Sequence, residues 1–285
     1  MARQTCVGGS RRAGKLCLLA GLLAACAMGP CLAAGPAGRA GEAQARVSAR
    51  RPGPGQRAGP AGFGPVTDFN SALANWNAFY KRSLYSTKRG AGDRPRWPLQ
   101  NCREAWYRVL DSWYVTPPPE YAKDERWHQD LATITGYLHM AEWLAWGGDL
   151  EGAHEALDPV RRIWMEIRTR NGIRHFGDEL TRYYDVMEPI VDWGVGASHG
   201  GVTKGNLGEY EAEVAKLAAA WQSVTQFGFR PSNPMWGRRF YMSMVKEAQA
   251  ISGLFEAVSE RRFEEIPAAA EEVKAGFLQL YMGFG

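Results

Sequence analysis

His139-x-x-Glu142 and Glu151-x-x-His154 each set an imidazole and a carboxylate three residues apart. On a helix this spacing puts both groups on one face, as in the metal sites of helical bundles. A turn near Gly147-Gly148 would fold the two segments into an antiparallel hairpin. Glu142 and His154 then lie equally far from the turn, each one residue past a core position. His139, Glu142, Glu151 and His154 are therefore the candidate ligands of a divalent metal. A plain Glu142–His154 pair would satisfy two of them without one. Di-iron bundles draw carboxylates from all four helices, and the two preceding helical segments offer no matching Glu-x-x-His.

Other chemistries find less support. The chain holds no nucleophile elbow, phosphate-binding P-loop, dinucleotide glycine pattern or zinc-protease motif. The run Gly194-Val-Gly-Ala-Ser-His-Gly-Gly lacks a preceding strand and a following Lys-Ser/Thr, so it reads as a linker between copies with His199 exposed. Cys102 is the one cysteine beyond residue 34 and falls on an apolar helical position, which suits a buried inert thiol. These absences favour a binding module over an enzyme.

The segments that must position these residues are helical. Apolar residues recur at steps of three and four, and strand-like alternation is absent. Phe69, Leu73, Trp76 and Tyr80 mark a first helix; Cys102, Trp106, Val109 and Trp113 a second, stopped by Pro117 to Pro119. Trp127 to Ala145 mark a third. In the fourth, Ala153, Leu157, Val160, Trp164 and Ile167 form one stripe between an Asp149 N-cap and an Asn171-Gly172 stop. A fifth helix ends near Pro189. Three more begin near Tyr210, Met244 and Phe263. Pro159 lies well inside the fourth, where it frees the Glu155 carbonyl.

A shift of 113 lays Ala153, Leu157, Val160, Trp164, Ile167 and Gly172 over Ile266, Ala270, Val273, Phe277, Leu280 and Gly285. A shift of 115 lays Cys102, Trp106 and Val109 over Leu217, Trp221 and Val224. The expectation is an all-α chain of tandem duplicated antiparallel four-helix units, at 66–173 and 174–285. The first unit's His128, His139 and His154 meet Tyr241, Ser252 and Pro267 in the second, so the repeat does not require them. Trp76, Trp106, Trp113, Trp127, Trp164 and Trp221 lie on the stripes and belong to the core. Trp143 and Trp146 lie off them, as a hairpin cover or a partner patch. Arg161 and Arg162 read as a solvated face, and Arg168 and Arg170 as last-turn charges that complement the helix dipole.

Residues 1–34 read as an export signal: Arg3, Arg11, Arg12 and Lys15, then an apolar run from Leu16 to Ala25. Leu23-Ala24-Ala25-Cys26 has the form of a lipobox, which would place a lipid on Cys26; Ala33 and Ala34 offer an ordinary cleavage site instead. Residues 35–65 are rich in Ala, Gly, Pro and Arg and read as a disordered tether. The chain has 34 basic and 30 acidic residues; the signal holds four basic residues and no acid, leaving 30 against 30. A nucleic-acid partner is therefore not implied.

An exported four-helix unit resembles the periplasmic four-helix-bundle cytochromes in architecture. That resemblance implies a haem. The family's ligand motifs are not matched: Cys-x-x-Cys-His is absent, the first helix has no Met, and the nearest histidine, His175, lies past the fourth helix's stop. The sequence reading is an envelope protein, periplasmic or anchored to the outer membrane, that binds a protein or small ligand. Its membrane contact would run only through a lipid anchor. The alternative is a metal- or haem-binding bundle with the site in the first helical unit.

Overall fold

A computed structural model describes residues 68–89, 96–229, 231 and 233–285. The export signal, Cys26 and the tether lie outside these residues. Among them there is no strand, and eight α-helices carry the fold: α1 Phe69–Lys88, α2 Arg96–Trp113, α3 Trp127–Trp146, α4 Leu150–Arg170, α5 Phe176–Gly194, α6 Leu207–Gln226, α7 Pro234–Ser259 and α8 Ile266–Phe284. No helix among the described residues is long and apolar enough to cross a membrane.

Each set of four closes on itself. α1 packs on α2, α2 on α3, α3 on α4, and α4 back on α1; α5 to α8 repeat the circuit. Successive helices run antiparallel. Phe69 at the start of α1 meets Trp113 at the end of α2, with ring centroids 5.3 Å apart. Trp127 at the start of α3 donates its indole N–H to the Trp113 carbonyl at 3.0 Å.

The stripes predicted from spacing are the buried faces. Ala153, Leu157, Val160, Trp164 and Ile167 are buried in α4, as are Ile266, Ala270, Val273, Phe277 and Leu280 in α8. The first unit's core is aromatic. Trp76 lies 5.0 Å from Trp106 and 6.0 Å from Trp164, and Phe69 and Trp127 flank them. Each such ring pair adds about 0.5–1.5 kcal/mol beyond the burial of its surface. Trp113 is only partly buried against this core.

The ends of α4 follow from its sequence. The Asp149 carboxylate accepts the Gly152 N–H at 2.9 Å. Gly172 takes φ 68°, and the Ile173 N–H reaches back to the Arg168 carbonyl at 2.9 Å. This is a six-residue C-cap that only a residue tolerant of positive φ can make.

Three expectations are corrected. α5 does not end near Pro189; it runs through Pro189 to Gly194. The missing N–H costs one helical bond, and the buried faces of Met187, Ile190 and Val191 carry the helix past it. The glycine-rich run after Gly194 does not link the copies. It joins α5 to α6 within the second set, and residues 171–175 join the two sets. Arg161 is not on a solvated face: it is 7% exposed. Arg168 stands in the last turn as expected and pairs there with the buried Asp178.

Candidate functional site

The four residues singled out for a metal are not brought together. Glu142 turns toward α2, where Arg103 pairs with it. The His139 Nε2 meets the Tyr107 hydroxyl at 2.6 Å, also on α2. His154 turns to α1 instead. Its Nδ1 lies 3.1 Å from the Leu84 carbonyl and 3.3 Å from the Thr87 hydroxyl. A carbonyl only accepts, so this nitrogen carries the proton. Burial, and then the charge of Lys88, hold the imidazole below its usual pKa and favour its neutral form. Glu151 is exposed at the start of α4. The hairpin thus gives Glu142 and His154 to opposite neighbours, and among the described residues no group of three or more His, Cys, Asp or Glu could hold a metal. His175, the nearest residue to a haem ligand, caps α5: its Nδ1 accepts the Gly177 N–H at 3.0 Å.

Polar chemistry gathers elsewhere, between the two sets of helices. The facing helices are α1 and α4 on one side and α5 and α8 on the other. Tyr80 of α1 donates to the Leu157 carbonyl of α4 at 2.9 Å. One residue on, Lys81 reaches across to α8. Its ammonium donates to the carbonyls of Tyr281 at 3.3 Å, Met282 at 3.3 Å and Gly285 at 2.9 Å. Asn77 adds a bond to the Gly285 carbonyl at 3.1 Å. Lys81 is 9% exposed, and burial lowers its pKa to about 8. Its partners are the free carbonyls that end a helix, where a cation is favoured.

Arg161 of α4 lies beside it. Its guanidinium stacks 3.6 Å from the centre of the Tyr184 ring on α5 and pairs with Asp158. Asp158 also pairs with Arg162, which bonds Asp185 at 2.7 Å. One turn past Trp164, the Arg168 Nε holds the buried Asp178 at 2.9 Å. Arg170 pairs with Asp124 and the buried Asp130.

Lys81, Arg161 and Tyr281 form a wall with a cavity on each side. The first cavity has a volume of about 590 Å³. Leu84, Phe277, Leu278 and Met282 line it with apolar surface; Lys88, Arg89, Arg239 and Lys274 line it too, as do Asp158 and Glu188. The second has a volume of about 760 Å³. Its sides are aromatic, from Tyr80, Trp164, Phe229, Trp236, Tyr281 and Phe284. Its charged side chains are Lys81, Arg161 and Arg168, and no carboxylate side chain lines it. Both volumes fall within the usual range for small-ligand sites, and the mix of apolar walls with a few fixed charges suits them.

The repeat frames this wall. The shift of 113 places Arg161 over Lys274, Trp164 over Phe277 and Arg168 over Tyr281. The chain has therefore used one packing position of each copy to build the boundary between them. Sequence reasoning passed over these residues because charge flanking an apolar stripe reads as solvated when no second unit is placed against it. One signal was present: Arg161, Trp164 and Arg168 fall three and four residues apart, on one face.

A second buried group lies inside the second set of helices. Glu247 of α7 is fully buried, accepts a hydrogen bond from the Tyr183 hydroxyl, and is pushed by burial to a pKa of about 8. Its other oxygen, Oε2, has no partner and lies where a Cβ on Gly276 would be, 2.1 Å away.

Trp143 and Trp146 are 74% and 67% exposed on α3 and do not cover the hairpin end. Cys102 is buried, and burial raises its thiol to about 12, far from the reactive range.

No protein-family model, curated protein or solved structure significantly matches this chain.

Proposed function

We propose that this chain is an exported, non-catalytic binding module that holds a small organic anion between its two helical units. The observation that carries the reading is the pair of cavities sharing Lys81, Arg161 and Tyr281. Six cationic and two carboxylate side chains line the first; three cationic side chains and no carboxylate side chain line the second, where Lys81 has no acidic partner among the described residues and Arg161 and Arg168 pair with Asp158 and Asp178 outside the lining. Such a surplus raises the local concentration of anions and suits a ligand with one charged end. The aromatic and aliphatic walls suit an apolar body. His154 and His175 are engaged as hydrogen-bonded structural groups, which favours binding over acid–base catalysis. Export rests on residues 1–34, and an envelope location would follow from it.

The test is calorimetric titration of the full chain with decanoate and naphthalene-2-carboxylate, each against its neutral alcohol. The expected result is that at least one carboxylate binds at least tenfold tighter than its alcohol, with the preference falling as salt rises. Equal affinity for acid and alcohol in both pairs, or no binding by any of the four, would overturn the reading.

A further inference from the structure

Two buried donors in this boundary have no acceptor. They are Nε of Arg161 and Nε1 of Trp164, three residues apart on α4. Trp164 is 2% exposed, and the Arg161 side chain is 6% exposed. A buried N–H left unbonded costs about 1–3 kcal/mol, so such groups call for an explanation. Packing alone does not require either of them. The repeat fills the Trp164 position with Phe277, a ring of similar shape with no N–H, and the Arg161 position with Lys274. Both side chains line the second cavity, beside Lys81. The Trp76 and Trp221 indoles are also unbonded; Trp76 lies against the Cys102 sulfur, a weak acceptor, and Trp221 lines neither cavity.

We infer that Arg161 and Trp164 form the receiving end of a carboxylate site in the second cavity, with Lys81 supplying its charge, and that the ligand is an aromatic acid. The class of ligand follows from the walls. A carboxylate oxygen is an acceptor with several lone pairs, and charge-assisted bonds from a guanidinium and an indole would satisfy both donors at once. The body behind it would lie among Tyr281, Trp236, Phe284 and Phe229, where a flat ring finds edge and face contacts. The first cavity is less suited, since Asp158 and Glu188 line it. This assignment rests on the reading of the chain as an anion-binding module and goes further by naming the cavity, the donors and the ligand class.

The experiment compares naphthalene-2-carboxylate with decanoate on the full chain and three variants. Trp164→Phe keeps a ring, as the repeat does, and deletes one donor. It should weaken naphthalene-2-carboxylate about tenfold, the value of one charge-assisted bond. Lys88→Gln and Lys274→Gln, in the first cavity, should weaken it less than Trp164→Phe does. A nitrogen-15 spectrum of the tryptophan indoles gives a readout that does not depend on a variant folding. On adding naphthalene-2-carboxylate, the Trp164 indole N–H should move downfield and exchange more slowly. Unchanged affinity in Trp164→Phe with an unmoved indole resonance would overturn the assignment. Loss of binding in Lys88→Gln or Lys274→Gln would do so too, while leaving the module reading intact. A preference for decanoate over the aromatic acid would refute the ligand class.

Discussion

The ammonium of Lys81, on the first helix, lies 2.9 Å from the carbonyl oxygen of Gly285, just past the last. One buried side chain therefore joins the two ends of the described fold. It does so while charged, in a place where burial favours its neutral form. Below pH 8 the folded protein carries this cost in full. Between about 8 and 10.5 the unfolded chain binds more protons at this position than the folded one, so stability rises with pH. The shift corresponds to roughly 3 kcal/mol at its limit. By urea unfolding, the free energy of the native chain minus that of Lys81→Met should rise between pH 7.5 and 9.5. A bound carboxylate would compensate the charge and flatten the native profile.

Glu247 gives the opposite slope in a lower window. Its folded pKa of about 8 exceeds the ordinary value of 4.5, so the folded state holds a proton that the unfolded state has released. The contribution is present below pH 4.5 and is lost as pH rises toward 8. The difference in unfolding free energy between the native chain and Glu247→Gln should grow steadily over that range, in favour of the variant. Histidines titrate in both proteins and cancel in the difference. A difference that does not change between pH 5 and 8 would contradict a buried, protonated Glu247.

Gly276 depends on the same carboxyl. A methyl there would lie 2.1 Å from Oε2 of Glu247, so Gly276→Ala alone should destabilise by about 1–3 kcal/mol, an overpacking cost. In a Glu247→Ala background the obstruction is gone. The same substitution should then stabilise α8 by about 0.5–1 kcal/mol, the ordinary gain of alanine over glycine within a helix. Thermal melts of the four proteins test whether the sign reverses.

Arg168 and Asp178 tie α4 to α5 through two nitrogens of one guanidinium. Asp178 is buried, and so nearly is the Arg168 side chain. Asp178→Ala should cost about 3–5 kcal/mol, because it leaves a buried cation unpaired. Replacing both with methionine should restore a large part of that loss. Chemical denaturation of the single and double variants separates the two outcomes.

The helices and their inward faces were legible because burial repeats with the helical period. Ala153, Leu157, Val160, Trp164 and Ile167 need no knowledge of their neighbours to be assigned inward. The metal grouping failed for a geometric reason. Equal distance from a turn sets two residues at one height on a hairpin but does not turn them toward each other. Glu142 faces α2 and His154 faces α1. The boundary residues were hidden for another reason: Arg161 meets Tyr184, a residue of the other unit, across the boundary. Pairing between distant segments leaves no periodic trace in either.

The connection between the two units, residues 171–175, is only five residues long. Each unit is thus the tethered partner of the other, at an effective concentration set by a tether too short to let them separate far. Weakening Lys81 or Arg168 would loosen the boundary without dissociating it, because the two units remain neighbours by covalent connection.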